Sequence, residues 1–330
     1  MHPATLVKSS GKILVVVLLS AVLPLAQRPT FHSKSNVVLV PALVKDKSGE
    51  PVYGLTAKDF IIEDDGVARE ARLDENVDSE PIALVVAIQV GRRAKREFPR
   101  MRGLAAMLGP FLEIENSSVA VVEFDNSVRL ALDFTNNQGV IKDDLENLKE
   151  GDDGAAILDA IRYSIELLRT IPRGHRRVLL LVSETRDHGS KAAKLDDVVA
   201  SVGDSNTVIY ALTFSPSWSQ VLDTERGSNR DEWANGPDLL APILMARQSI
   251  RRNTPKAVVM MTGGEYQLFA SRKSFERLMT EFVNQVDARY ALSFQPEDPR
   301  PGLHQLRVRL VDGKIGTVQA RNSYWAVGDR

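Results

Sequence analysis

Residues 83–93 read ALVVAIQVGRR, an apolar run that stops at Gly91 and is followed by two arginines. The run lacks the alternation of apolar and polar residues that is typical of a strand with one solvent-exposed face. It therefore predicts a strand that is buried on both faces. Strands of this kind deliver their last residues to binding sites. Such sites usually carry carboxylates and hydroxyls, whereas this strand ends in the residues Ile-Gln-Val-Gly-Arg-Arg.

Runs of the same kind recur between residues 81 and 294, where they alternate with helical patterns. Further strands are predicted at 176–184, 207–214, 265–269 and 289–294, and residues 118–126 and 128–135 read as a hairpin. Apolar residues with helical spacing lie between them, at 98–113, 140–149, 155–170, 194–204, 254–262 and 274–289. Strands that alternate with helices predict an α/β fold, in which a doubly wound, mostly parallel sheet has helices on both faces.

Two β-rich segments flank this predicted domain. Residues 31–80 contain two strand patterns, the second of which ends in an Asp-Asp-Gly turn. Residues 295–330 begin with a linker and continue as a β-pair with alternating faces. Between residues 215 and 253 the alternation breaks into a polar, turn-rich stretch that contains Trp218 and Trp233. We interpret it as an insertion that leads into a helix, either a binding loop or a disordered excursion.

The composition argues against several kinds of site. The 330 residues carry a formal net charge of -1, so no overall field favours nucleic acid or an anionic membrane surface. The absence of cysteine removes disulfides, zinc–thiolate sites, iron–sulfur clusters and thiol nucleophiles together. The sequence contains no phosphate-loop, dinucleotide-binding, zinc-protease or nucleophile-elbow motif. We therefore predict a protein that has no cofactor and is not an enzyme.

The N-terminus has the pattern of an export signal. Lys8 and Lys12 precede an apolar run over residues 13–26. This run is shorter than the about 20 apolar residues that span a bilayer. We predict a signal peptide over residues 1–26, with an uncleaved N-terminal anchor as the alternative. Both interpretations place the protein in the periplasm, in the cell envelope or outside the cell.

Several motifs together resemble one protein family. VVLVPALVKDKSGEPVYGLTAKDFIIEDDGVARE opens the resemblance, and VAVVEFDNSVRL, GAAILDAIRYSI, VLLLVSETRDHGS, MMTGGEYQLF and RYALSFQPEDP continue it. The chain resembles the von Willebrand factor A-related family that is typical of acidobacterial exported proteins, over nearly everything after residue 26. The resemblance implies a von Willebrand factor A-like domain over residues 81–294, flanked by small N- and C-terminal β segments.

The A domains of this family usually hold a divalent cation at a metal-ion-dependent adhesion site. The family pattern is Asp-x-Ser-x-Ser after the first strand, a Thr before a central helix and an Asp after the fourth strand, a ligand set that suits a hard cation. With Gly91 as the anchor, these positions fall on Ile88, Val90, Arg92, Ala155 and Glu184. Only Glu184 keeps an oxygen ligand, and residues 81–99 contain no Asp, Ser or Thr. The resemblance therefore implies a degenerate site without a metal.

Arg92 would place a positive charge beside the ion at this degenerate site. One hypothesis is that its guanidinium occupies the vacated cation position and pairs with Glu184, Asp152 or Asp153, because a guanidinium suits a forked pair with a carboxylate. The alternative is that Arg92 and Arg93 begin a solvated basic loop.

Together these features predict a non-catalytic protein–protein interaction or adhesion module with an unknown protein partner. Arginine and tryptophan are favoured interface anchors. The residues expected at the interface are Arg92, Arg93, Lys95, Arg96, Trp218 and Trp233. Two alternatives stay open. One is a cation-dependent adhesion module that uses carboxylates such as Asp152, Asp153 or Asp187, and the other is an enzyme that uses Glu184, Asp187 and His188.

Overall fold

A computed structural model describes residues 37–74, 80–214, 241–297, 299–311 and 316–327. These residues form one six-stranded sheet and two four-stranded sheets. The residues predicted as an insertion lie outside the described part of the chain up to residue 240. None of the helices formed by the described residues is both long and apolar enough to cross a membrane.

The six-stranded sheet is built around β5 (Ile82–Gln89), the strand predicted from the apolar run that begins at residue 83. β5 pairs in parallel with β6 (Ser118–Phe124) on one side and with β8 (Arg176–Ser183) on the other. All eight residues of β5 are buried. The predicted strand with two buried faces is therefore confirmed.

The edges of this sheet differ in direction. Beyond β8, β9 (Thr207–Thr213) and β10 (Tyr266–Leu268) continue the parallel order. At the opposite edge, β7 (Val128–Thr135) runs antiparallel to β6. The predicted hairpin is confirmed, because the short connection at residues 125–127 allows only an antiparallel return.

Helices cover both faces of this sheet, which confirms the predicted α/β fold. One face carries a 3-10 turn (Ala94–Arg100), α1 (Leu104–Met107), α2 (Gly109–Glu113), α3 (Gln138–Glu146) and α8 (Arg272–Asp287). The other face carries α4 (Ile157–Arg169), α5 (Leu195–Asp204), α6 (Ala241–Arg252) and α7 (Thr254–Thr262). β5 serves both cores, since Leu84, Val86 and Ile88 pack in the first and the residues between them pack in the second.

The segment 98–113 departs from the continuous helical spacing that the sequence shows. It forms the end of the 3-10 helix and two short α-helices, because Gly103 adopts a left-handed conformation with φ 87° and Pro110 lies in the first turn of the next helix. Proline lacks the amide hydrogen that a continuous helix needs at this position. The apolar spacing predicted the buried side of the segment but not its breaks.

The N- and C-terminal segments combine into two four-stranded sheets. The first has the order β13 (Thr317–Ala320), β1 (Val38–Lys45), β11 (Tyr290–Phe294) and β4 (Arg72–Asp74). The second has the order β14 (Ser323–Ala326), β12 (Gly302–Leu310), β2 (Phe60–Asp64) and β3 (Val67–Arg69). One hydrophobic cluster contains Val40 and Leu292 of the first sheet together with Ile62 and Leu306 of the second.

The assignment of residues 289–294 to the central sheet is wrong. β11 pairs antiparallel with β1, in the register Leu292 to Val40, and also with β4. The physical reason lies in its alternation: Leu292 and Phe294 are buried, while Ser293 between them is half-buried. A strand with one buried face suits the small flanking sheet rather than a parallel sheet between two helical layers.

Arg321 connects strands of the flanking sheets to helix α5 through hydrogen bonds. This residue is only 4% exposed. The guanidinium donates hydrogen bonds to the carbonyls of Ser323 (2.8 Å), Leu39 (3.2 Å) and Gly203 (2.6 Å), the last of which lies in the final turn of α5. Burial lowers the pKa of Arg321 to about 10. The buried cation is thus balanced by carbonyl dipoles, one of them at the negative end of a helix.

Candidate functional site

The candidate site lies at the carboxyl end of β5, where three loops meet. The amide of Gly151 donates to the carbonyl of Val90 (2.8 Å), and the amide of Arg92 donates to the carbonyl of Asp152 (3.2 Å). A Cβ on Gly91 would lie 2.4 Å from the carbonyl oxygen of Gly154, so no other residue fits without displacement of the loop. The loop of residues 150–154 is therefore held directly against the end of the strand.

The centre of the site is a pair of buried side chains. Gln89 is fully buried and Glu184, which follows β8, is 4% exposed. The Gln89 Oε1 accepts a hydrogen bond from the Glu184 amide (2.9 Å), and its Nε2 donates to Glu184 Oε1 (3.2 Å) and to the carbonyl of Gly154 (3.5 Å). One amide side chain thus connects the ends of two strands with the loop before α4.

Two basic side chains complete the surroundings of the Glu184 carboxylate. The Nε2 of His188 contacts Glu184 Oε1, and Arg93 Nη1 lies 3.8 Å from Glu184 Oε2. The His188 amide donates to the carbonyl of Ala155 (3.1 Å), which fixes the loop after β8 against the start of α4. The side chains of His188 and Arg93 are 36% and 60% exposed, so the buried carboxylate is connected to the surface through two nitrogen-bearing side chains.

The acidic side chains around the site mainly organise backbone. Asp125 accepts from the amides of Ser127 (2.9 Å) and Asp152 (2.9 Å). Burial raises the pKa of Asp125, but the hydrogen bonds from these amides outweigh burial and lower it. Asp187 accepts from the amide of Leu158 (3.0 Å), in the first turn of α4. A carboxylate at a helix N-terminus satisfies amides that have no partner inside the helix.

The residues predicted from the family pattern take different places. Ile88 and Val90 lie in the hydrophobic core on the first face of the sheet, and Ala155 is buried in the core on the second face. Of these positions, Glu184 is the one whose side chain enters the network described above. The residue that faces it is Gln89, which the sequence analysis did not select.

The prediction for Arg92 is wrong in its partner. The Nε of Arg92 lies 3.9 Å from Glu150, and the arginine that approaches Glu184 is Arg93. The reason is local. The two arginines directly precede the 3-10 helix that begins at Ala94, so their side chains leave the backbone in different directions. The Arg92 side chain is 70% exposed, as in the alternative of a solvated loop.

The remaining predicted interface residues form an exposed basic segment. Lys95 and Arg96 follow the two arginines and are exposed, and Lys95 pairs with Glu150. An ion pair at this exposure contributes little to stability. Trp218 and Trp233 lie outside the described residues.

A second cluster of carboxylates and histidine occurs among the described residues. Asp64, Asp65 and His304 place ligand-type atoms within 4.8 Å of one another, at the turn between β2 and β3. Each of these side chains already has hydrogen-bond partners, which include Tyr324 for Asp64 and the Gln305 amide for Asp65. The Asp-Asp-Gly turn was predicted from the sequence, but its histidine was not, because that histidine lies 239 residues further along the chain from Asp65.

The fold is an α/β domain with a candidate site at the carboxyl end of its parallel strands. Residues 89–186 match the family model of the von Willebrand factor type A domain. The comparison with curated proteins gave no significant match.

Three solved structures are similar to parts of this chain. The protein BatB from Bacteroides thetaiotaomicron has 15% identity and a TM-score of 0.41, over 62% of this chain and 98% of its own. A point mutant of the minor pilin PilB from Streptococcus sanguinis has 12% identity and a TM-score of 0.43, over 63% and 62%. Proximal thread matrix protein 1 from the mussel byssus, with a zinc-occupied MIDAS motif, has 15% identity and a TM-score of 0.42, over 67% and 48%.

Proposed function

We propose that this protein is an exported, non-catalytic interaction module that binds a protein partner without a metal ion. The observation that carries the proposal is the network around Glu184. Gln89, His188 and Arg93 surround the one carboxylate that the family pattern leaves at the site. Side chains of this chain take the place that a cation holds in the family.

The donor set does not fit a divalent cation. A hard cation such as Mg²⁺ requires about six oxygen ligands in near-octahedral geometry. The side chains of Ile88 and Val90 belong to the core, and Ala155 has no oxygen in its side chain. Glu184 Oε1 already receives the Gln89 amide, and its Oε2 faces a guanidinium. A cation beside Arg93 would be repelled in this partly buried setting.

The exposed arginines and lysine next to the network supply the surface for a partner. Arg92, Arg93 and Lys95 have side-chain exposures of 70%, 60% and 60%. Arginine is enriched in the binding hot spots of protein interfaces. The match of residues 89–186 to the von Willebrand factor type A family supports an interaction role. The export signal predicted over residues 1–26 supports a location in the envelope or outside the cell.

The contact between His188 and Glu184 gives the catalytic alternative its one specific observation. A histidine next to a buried carboxylate is a common acid–base arrangement. Asp187, the third member of that alternative, is instead engaged by the Leu158 amide and by Ser190 Oγ (2.5 Å). This engagement favours a structural role for the loop. The alternative predicts an activity that is lost in both the Asp187→Asn and the His188→Gln variants.

The first test is a thermal melt of the protein in EDTA and in millimolar Mg²⁺, Mn²⁺ or Ca²⁺. A ligand that binds the folded state alone raises Tm, by a stabilisation of about 2.7 kcal/mol at a concentration 100 times its Kd. We expect no shift. A saturable rise that disappears in Glu184→Gln would overturn the metal-independent site and restore the cation-dependent alternative.

The second test concerns the interface. A photo-reactive residue at position 96 captures the partner in envelope extracts with EDTA present. We expect capture of a discrete protein, and loss of this capture in the double variant Arg92→Glu, Arg93→Glu. The matched control is Arg272→Glu, a charge reversal on α8 with a similarly exposed side chain. Equal capture by all three proteins would refute the basic segment as the interface.

A further inference from the structure

A second network holds the turn between β2 and β3 against the start of β12. His304 is 9% exposed, and its ring stacks on Tyr324, with centroids 4.9 Å apart and an angle of 21° between the planes. Its Nδ1 lies 2.8 Å from Asp65 Oδ2, and its Nε2 lies 2.6 Å from the carbonyl oxygen of Arg300. Both ring nitrogens therefore face oxygen atoms at hydrogen-bond distance.

The partners determine where the protons are. A carbonyl oxygen can only accept, so His304 Nε2 carries a hydrogen. Asp65 Oδ1 accepts from the Gln305 amide (2.9 Å), and a carboxylate that is ionised accepts with its second oxygen as well. Nδ1 then also carries a hydrogen. Both bonds exist together only when His304 is an imidazolium, because neutral imidazole has a single N–H.

The surrounding charges favour this state. The hydrogen bond to Asp65 raises the pKa of His304, and the Arg300 carbonyl and the negative charges of Asp65 and Asp64 act in the same direction against the opposing effect of burial. Burial raises the pKa of Asp65, but the hydrogen bonds from His304 and from the Gln305 amide outweigh it and lower this pKa.

The rest of the environment is also charged or polar. Asp64 accepts from the Tyr324 hydroxyl (3.2 Å) and lies 3.4 Å from Arg69 Nε. Burial, together with the charge of Asp65, raises the pKa of Asp64. Arg69 also pairs with Glu297 (2.9 Å), on the segment that leads into β12. The guanidinium of Arg300 acts on Asp65 from the same segment.

We propose that Asp65, His304 and the Arg300 carbonyl form a proton-dependent latch on the flanking sheets, closed when His304 is doubly protonated and released when it loses one proton. After release, either the Arg300 carbonyl or the Asp65 carboxylate loses its donor. The affected parts are the β2–β3 turn and the segment before β12. The turn depends on this support, because Asp65 adopts a left-handed conformation with φ 48°. This latch is independent of the function proposed for the site at Glu184.

The pH range in which the latch is closed follows from the directions of the pKa shifts of His304 and Asp65. The pKa of His304 is raised above 6.5, so its contribution to stability is complete below pH 6.5 and is lost as the pH rises through the folded-state value. The pKa of Asp65 is lowered below 3.8, so its contribution is complete above pH 3.8 and is lost as the pH falls through the folded-state value. The latch is therefore closed between these limits and opens on the alkaline side.

The test uses the full chain. NMR titration of the histidine ring protons gives the pKa of His304 in the folded protein and in urea. Hydrogen exchange of the Gln305 amide across the same pH range reports the latch itself. We expect a higher pKa in the folded protein, and a loss of Gln305 protection of about tenfold, beyond intrinsic exchange, above that pKa. A pKa equal to that in urea would overturn the proposal without the use of any variant.

The variant Asp65→Asn separates charge from backbone shape, because asparagine tolerates the left-handed conformation and keeps an acceptor for the Gln305 amide. We expect the pKa of His304 to fall in this variant and the exchange transition to move to lower pH. The matched control is Asp46→Asn, an exposed turn aspartate whose carboxylate accepts from Ser48 and Glu50 amides. A transition that stays in place in Asp65→Asn would refute the latch.

Discussion

Replacement of Gln89 by leucine tests whether one amide side chain holds the candidate site together. Leucine keeps the side chain close to its original volume and removes three hydrogen bonds. The Glu184 amide then lacks an acceptor in a buried position, which costs about 1–3 kcal/mol, and the Glu184 carboxylate loses a donor, which costs about 1.5 kcal/mol or more. The greater apolarity of leucine offsets about 1 kcal/mol. We expect the free energy of unfolding to fall by about 2–4 kcal/mol.

Urea denaturation followed by circular dichroism measures this change. The matched control is Gln267→Leu, in which a half-buried glutamine loses amide bonds to Glu265 and Glu281, whose side chains water can reach. We expect a change within about 0.5 kcal/mol for the control. The double variant Gln89→Leu, Glu184→Met should lose less than the sum of its single variants, since the two side chains are direct partners. A Gln89→Leu variant as stable as the control would refute the reasoning.

Three further predictions concern particular positions of the fold. Arg321→Met leaves three carbonyls without their donor, of which those of Ser323 and Gly203 are buried, and urea denaturation should show a loss of about 3–5 kcal/mol. Gly263→Ala should lower Tm far more than Gly49→Ala: both glycines have positive φ, but a Cβ on Gly263 would lie 2.4 Å from the amide nitrogen of Arg321, while a Cβ on Gly49 meets open space. Ile88→Asp restores the acidic residue of the family pattern in the core, and we expect a loss of at least about 4 kcal/mol with no rise in Tm on addition of Mg²⁺. A stabilised Ile88→Asp protein in Mg²⁺ would show that this position faces the site.

The site could be predicted from the sequence only in part. The family pattern selected Glu184, and Glu184 is at its centre. Gln89 was the polar residue in an otherwise apolar run, and the alternation of side chains along a strand places it on the opposite face from Ile88. The sequence therefore placed the Gln89 side chain on the face opposite Ile88. It did not show which side chain Gln89 would contact, because that depends on the neighbouring strand. β8 brings Glu184 next to Gln89 across 95 residues of sequence.

The sequence by itself determined the elements that depend on local pattern. The nearly continuous apolar run of β5 required burial on both faces, and the short turn after β6 required a hairpin. Gly263 ends α7 in a left-handed conformation with φ 79°, which is the usual role of a glycine directly after a helix. These features follow from the hydrophobic period and from the conformational limits of single residues.

The tertiary structure alone decided which distant groups meet. It placed Arg93 rather than Arg92 beside Glu184, and it joined Asp65 to His304. Each of these contacts depends on the order of the strands in a sheet and on the direction of a turn. Neither the strand order nor the turn direction can be read from a local pattern in the sequence. The sequence gives the position of each carboxylate and each arginine along the chain. Its partner is determined by the packing that brings remote segments together.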